Sequence, residues 1–327
     1  MDSLVNAEKE KKRRLRDIND MKKLLVITGA TGKKSGGYFA RLLGLNIDKV
    51  RTMFPDGIRA VVRKTSNTKE LGQHIPSIKK FYGDLTDKDV LKEAFADADT
   101  VVHIAGIHWS REVVEVAANC HVRRLILVHT TGIYSKYKEA GEEYRQIDEF
   151  VYETCKRNHI ILTILRPTMI YGNVYDNNVI VFIKMVDKLP IMPVVDGARY
   201  ELQPVHYKDL GEAYYQVLMN EEATANKDFN LSGGEPILLR DMFYEIGKNL
   251  GKKVTFISCP FSIAYAGAWI VHLLTLGKFD FREKVQRLCE PRVFTHEPAT
   301  LAFGYKPRNF EFGIVDEVKE YLHHRGN

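Results

Sequence analysis

Cysteine is scarce in this chain: four residues among 327, Cys120, Cys155, Cys259 and Cys289, too far apart to share a metal-ligand spacing with the histidines. That pattern excludes a disulfide-stapled scaffold, gives no metal site, and points to a reducing, cytoplasmic setting with thiols inside the fold. The 23 glycines and 11 prolines follow no period, so collagen-like and low-complexity architectures are excluded as well. The N-terminus lacks the apolar core of a signal peptide. No apolar run reaches the roughly 20 residues that a membrane span requires. The nearest, Phe261 to Leu276, is too short and carries His272; it reads as a buried or interface helix, with an interfacial membrane contact left open. Charge of one sign is also modest, 48 Lys and Arg against 42 Asp and Glu, a formal +6. Much of that surplus sits in Lys11-Lys12-Arg13-Arg14 and Arg16, which reads as a solvated tail, so no nucleic-acid partner is expected.

What remains is an ordinary globular composition, 45% hydrophobic and 28% charged, with enough length for a full core. Residues 1–20 read as a charged extension ahead of a more conventional start at Met21. Lys23 to Thr28 is a continuous apolar run too short for a helix and ended at once by glycine, the signature of a fully buried parallel strand. The loop Gly29-Ala30-Thr31-Gly32-Lys33-Lys34-Ser35-Gly36-Gly37 follows, and then Phe39, Leu42 and Leu43 at helical spacing. Further strands are read at Ile58–Val62, Lys80–Tyr82, Thr100–Ile104, Arg124–Val128 and Ile160–Leu165, with helical patterns between most of them. This alternation predicts an α/β fold, a Rossmann-like doubly wound parallel sheet. Residues 21–172 form its core, which also receives about 200–233. Residues 173–199 and 234–327 build a smaller C-terminal substrate-binding lobe over the strands' carboxyl ends, where open α/β sheets bind ligands.

A glycine loop between a buried strand and a helix lets backbone amides approach a pyrophosphate at the helix N-terminus. Gly29, Thr31, Gly32 and Gly36 are the contacts expected here, for a dinucleotide. After the second strand, Val62 is followed by Arg63 and Lys64, cations at the point where NAD sites usually carry a carboxylate. NADP is therefore the preferred cofactor, with NAD still possible.

Four segments carry a resemblance: Thr28-Gly29-Ala30-Thr31-Gly32, Gly83-Asp84-Leu85-Thr86-Asp87, Leu165-Arg166-Pro167 through Tyr171-Gly172, and Pro204-Val205-His206 through Asp209. Together they resemble the short-chain dehydrogenase/reductase superfamily, in its extended or atypical NAD-dependent epimerase/dehydratase branch, from Met21 to Leu322. The resemblance implies that Asp84 and Leu85 lie along the adenine, that Ala105 and Gly106 line the cofactor ribose, and that the chain forms a homodimer through sheet-flanking helices. It also marks Phe303-Gly304-Tyr305-Lys306-Pro307 as a closing segment and His206 with Asp209 as a structural return to the core. One departure is plain: Ser35 holds the third glycine's place and Gly36 follows one residue late, which predicts a bulge in the loop.

In redox members of that family a Tyr acts as acid/base, a Lys one helical turn later lowers its pKa, and a Ser or Thr on the preceding strand orients the substrate oxygen. Thr130 and Thr131 match the last of these, and Tyr144 is the best candidate base. The residue four on from Tyr144 is Asp148, whose carboxylate would disfavour a phenolate. A surrogate cation would come from Arg145, Lys136, Lys138 or the nicotinamide. Tyr134 with Lys138 has the right spacing but follows the strand too closely, so Tyr134 reads as a loop residue near the substrate. Arg166 either holds a substrate anion or closes a strand-end ion pair, and Asn178, with Asn177 and Arg199, is a polar candidate for a sugar or phosphate. Glu201-Leu202-Gln203 stands where nucleotide-sugar enzymes commonly carry an Arg, which weakens that substrate inference. Two readings result: an NAD(P)-dependent oxidoreductase or epimerase/dehydratase-like enzyme acting on a sugar or nucleotide-sugar hydroxyl or carbonyl, and an NADP-binding regulatory or assembly protein without turnover.

Overall fold

The computed structural model describes residues 22–137 and 139–326; the charged extension at 1–20, Met21 and Lys138 lie outside these. Seven strands form one all-parallel sheet: β1 (Leu24–Thr28), β2 (Gly57–Val62), β3 (Lys79–Tyr82), β4 (Thr100–His103), β5 (Arg124–Val128), β6 (Ile161–Pro167) and β7 (Lys227–Leu231). Their order is β7-β6-β5-β4-β1-β2-β3. The order reverses between β1 and β4, which opens a crevice at their carboxyl ends.

All five residues of β1 are buried, because helices cover both faces of the sheet. One apolar layer joins Leu25 and Ile27 to Phe39 and Leu43 of helix α1 (Ser35–Leu45) and to Tyr214 of helix α4 (Tyr207–Met219). The opposite layer joins Leu24 and Val26 to Val113 and Ala117 of helix α2 (Ser110–Asn119) and to Ile147 and Val151 of helix α3 (Gly141–Arg157).

A third cluster, including Val179, Ile183, Met242, Phe243, Ile246, Phe310 and Ile314, forms the core of the C-terminal lobe. Asp209 fastens that lobe to the sheet domain: its carboxylate accepts from the Arg308 backbone N–H at 2.9 Å and pairs with the guanidinium at 2.6 Å. His206, beside it, caps α4 by accepting from the Lys208 N–H. The apolar segment of the lobe, helix α5 (Phe261–Leu274), has Ala268 as its one buried residue, so of the two expectations, a buried or an interface helix, it does not meet the first.

Candidate functional site

The glycine loop follows β1 directly. Gly29 has φ +79°, and a Cβ there would stand 2.8 Å from the Ala105 backbone nitrogen. Gly36 approaches just as closely, since a Cβ would lie 2.2 Å from the Gly29 carbonyl oxygen, whereas at Gly32 the nearest atom is 3.4 Å away. Gly36 therefore takes the helix-packing position that the third glycine of the pattern normally holds. Ser35 becomes the first residue of α1, buried with its hydroxyl 3.5 Å from that of Tyr214. The displaced glycine keeps its steric function, and the space it clears suits a pyrophosphate against backbone.

A crevice of about 740 Å³ opens from this loop. Its walls include Gly29, Thr31, Gly32 and Gly36 at one end, Arg63 with Thr65, Ser66 and Asn67 beyond β2, Asp84 and Leu85 after β3, and Ala105 after β4. The sequence-derived contacts thus come together, except Lys64 and Gly106, which are not on the wall. Asp84 also closes its own turn, accepting from the Thr86 N–H at 3.2 Å. Behind Gly106, buried His103 bridges two strands' ends, with Nδ1 2.7 Å from Thr28 Oγ1 and Nε2 3.0 Å from the Gly106 carbonyl. Burial holds its pKa down at about 4, so it is neutral and acts as a clamp on the loop that carries Ala105.

A second cleft of about 770 Å³ lies against Thr130, Thr131, Tyr134, Asn177 and Asn178, and shares Lys34 and Ile170 with the first. Thr130 Oγ1 accepts from the Gly132 N–H at 3.0 Å and keeps its own proton to give, whereas the Thr131 hydroxyl donates to the Pro167 carbonyl at 3.1 Å. Residues from the lobe that sequence reading missed close the opposite side: Arg287, Glu290 and Arg292. Glu290 accepts from Ser135 Oγ at 2.6 Å and from the Lys136 N–H at 2.9 Å, tying the Tyr134 loop to the lobe. Burial, and then the repulsion of Arg287, lower the Arg292 guanidinium to about 10, still charged at neutral pH. The Nε of each arginine is buried without a hydrogen-bond partner among the described residues. Arg287 also pairs through Nη1 with Glu283 at 3.4 Å; two guanidiniums on one wall can hold an anion. Arg199 is not on that wall.

Two expected site residues stand elsewhere. Arg166 is 3% exposed and lines neither cavity. Its Nη2 lies 2.6 Å from Asp148 and 2.7 Å from Asp228, so it closes ion pairs and holds no substrate. Asp148 in turn accepts at 2.7 Å from His129 Nδ1, and His129 Nε2 faces Ser110 Oγ at 3.0 Å. Burial pushes the Asp148 carboxyl up, but His129 and Arg166 more than offset this and hold it below the usual range. Burial keeps His129 neutral, so Nδ1 carries the proton toward Asp148 and Ser110 donates to Nε2. Ser110, His129 and Asp148 share the connectivity of a hydrolase triad, but Ser110 is 0% exposed and no substrate reaches it.

Tyr144 is the other. Its ring packs in the sheet's second apolar layer, lines neither cavity, and its hydroxyl lies 3.4 Å from His108 Nε2. Burial and then the Glu143 charge raise its pKa, the reverse of what a general base needs. Two phenols do line the cleft, Tyr134 and Tyr137; Tyr134, half exposed, packs at 5.5 Å on Phe294. The helical register places the Tyr144 face inward, with the buried Asp148 carboxylate one turn on.

A family model described as NAD(P)H-binding matches residues 52–184. Short-chain dehydrogenase/reductase family 42E member 1 of Xenopus laevis is 22% identical, over 93% of this chain and 89% of its own length. An N-acetyl-alpha-D-glucosaminyl-diphospho-ditrans,octacis-undecaprenol 4-epimerase of Escherichia coli O157:H7 is 21% identical over 63% of this chain and 71% of its own. Among solved structures, the dTDP-glucose 4,6-dehydratase DesIV of Streptomyces venezuelae, with NAD bound, superposes with a TM-score of 0.67 at 17% identity, covering 93% of this chain and 98% of its own. With its seven-stranded parallel sheet and glycine loop, the chain has the fold of the extended epimerase/dehydratase structures, carries an NAD(P)H-binding match over residues 52–184, and is similar to short-chain dehydrogenase/reductase relatives.

Proposed function

We propose that the protein is an NADP-preferring oxidoreductase or epimerase/dehydratase-like enzyme that acts on a hydroxyl or carbonyl of a sugar carrying a diphosphate. The observation that carries this reading is the junction of the two cavities at Lys34 and Ile170, with Arg287 and Arg292 on the far wall. Relatives whose names specify nucleotide-sugar or polyprenyl-diphosphate-sugar substrates support the same substrate chemistry. The nicotinamide cofactor, when bound, supplies reversible hydride transfer. The chain's own residues do the rest. The glycine loop holds the pyrophosphate by backbone amides, Arg63 faces the adenosine end and favours a 2′-phosphate, and Arg287 with Arg292 hold the substrate diphosphate. Thr130 donates to the reacting oxygen and Tyr134 exchanges its proton, in place of Tyr144.

The test is nicotinamide absorbance, with product analysis, over a panel of UDP- and dTDP-sugars. Turnover lost in Thr130→Val and Tyr134→Phe supports the reading. A second reading has its own observation: Asp148 sits where the activating Lys is expected, fully engaged with His129 and Arg166. Tight cofactor binding without turnover over the panel, together with a stable protein partner, would make the protein a cofactor-holding regulatory or assembly subunit.

A further inference from the structure

From Val254 to Gly277 the chain contains no Asp, Glu, Lys or Arg. Within this stretch α5 presents Ile263, Ile270 and Leu274 along one stripe, 56–80% exposed, with Leu273 beside it at 63%. Leu276, just past its end, is 96% exposed with a φ of +49°, so a bulky apolar side chain is held in water at a strained backbone position. A helix apolar on all sides is stable only when something covers it; the Arg282–Leu288 helix covers one side, and among the described residues nothing covers the Ile263, Ile270 and Leu274 stripe. The nearest aromatics, Trp269, Phe279 and Phe281, are 40–51% exposed.

The charges around the patch identify the cover. Lys253 precedes it, and Lys278 and Lys284 follow, all exposed and without a carboxylate partner among the described residues. The acids nearby are neutralised internally: Asp280 pairs with Arg282 at 2.5 Å and with His272 at 3.3 Å, and Glu283 with Arg287 at 3.4 Å. The Arg282 guanidinium also lies 4.4 Å over the Trp269 ring. Exposed apolar side chains, interfacial aromatics and a rim of uncompensated lysines match an anionic bilayer surface. No helix among the described residues is long and apolar enough to cross a membrane, so the contact is peripheral. We propose that α5 and residues 276–284 dock this protein on an anionic lipid bilayer. The helix that packs against α5, Arg282–Leu288, carries Arg287 of the substrate cleft, so docking sets that wall of the cleft beside the lipid surface.

The experiment is sedimentation of the full chain with vesicles of mixed phosphatidylcholine and phosphatidylglycerol, and of phosphatidylcholine alone, with analytical ultracentrifugation of the protein by itself. The expected result is binding to the mixed vesicles, weakened about tenfold or more in Leu273→Glu/Leu274→Glu as the inserted apolar area is lost. Lys278→Glu/Lys284→Glu should lose the preference for the anionic lipid. Cofactor titration of each variant confirms that the fold is intact. Vesicle binding that survives both variants would overturn the proposal and assign the contact to the basic residues at 11–16. No vesicle binding would also overturn it, and a dimer abolished by Leu273→Glu/Leu274→Glu would then identify a second copy of the chain as the cover.

Discussion

Asp148 and Arg166, both buried, face each other at 2.6 Å, and the first of them occupies the helix position where the family resemblance expects an ammonium group. Removing one member of a buried ion pair leaves the other unpaired, at a cost of about 3–5 kcal/mol. Asp148→Ala should therefore lower stability by that order in urea unfolding, and Asp148→Lys should do at least as much harm while restoring no activity. An Asp148→Lys variant that folds normally would show that the network does not hold this part of the sheet together.

Gly36→Ala should abolish cofactor binding and destabilise the fold by about 1–3 kcal/mol, because the methyl group would fall 2.2 Å from a carbonyl oxygen. Gly32→Ala, with 3.4 Å of room, should keep the fold. Cofactor titration and thermal melting of the two variants check this; equal effects would remove the assignment of Gly36 to the packing position.

Arg63→Ala should weaken NADP about tenfold or more and leave NAD nearly unchanged, since a charge-assisted hydrogen bond contributes about 1.5–3 kcal/mol. Lys64→Ala should matter less, as Lys64 is absent from the crevice wall. Equal losses for NADP and NAD would end the argument for specificity.

Tyr134→Phe should lower kcat about a hundredfold, the usual size of an acid/base contribution, whereas Tyr144→Phe should stay within a few-fold. Steady-state kinetics on whichever diphosphate sugar turns over decides between them, and the reverse order of effects would return the role to Tyr144.

Acid should destabilise the protein beginning near pH 6.5. Burial depresses the His103 pKa to about 4, so the unfolded state takes up its proton first as pH falls, and native stability present above pH 6.5 is lost below it. At pH 5 the loss from this residue alone is roughly 2 kcal/mol. Urea midpoints at pH 7.5 and 5 test this, with a shallower slope expected in His103→Gln.

The sheet and the glycine loop were legible in the sequence because their determinants are local: apolar runs ended by glycine, and a helical repeat immediately after. The one-residue delay of Gly36 was visible too, and the structure shows its steric meaning. Arg166 could not be settled, since its fate depends on Asp148 and Asp228 arriving from distant segments. Tyr144 had the right position in the chain, yet the phase of its helix, fixed by packing against α2, turns it inward. Arg287 and Arg292 lie in a stretch without periodic pattern and reach the cleft only through the folding of the lobe. Helix α5 was read as a buried or interface helix, and the described part of the chain covers only one side of it.

Every step of the proposed chemistry requires a nicotinamide dinucleotide in the crevice between Gly29 and Asp84. Calorimetric titration of the purified protein with NADP and then NAD measures that directly. The account predicts saturable binding of both, tighter for NADP; no binding of either would contradict it and leave the chain as a scaffold that has kept the fold without its cofactor.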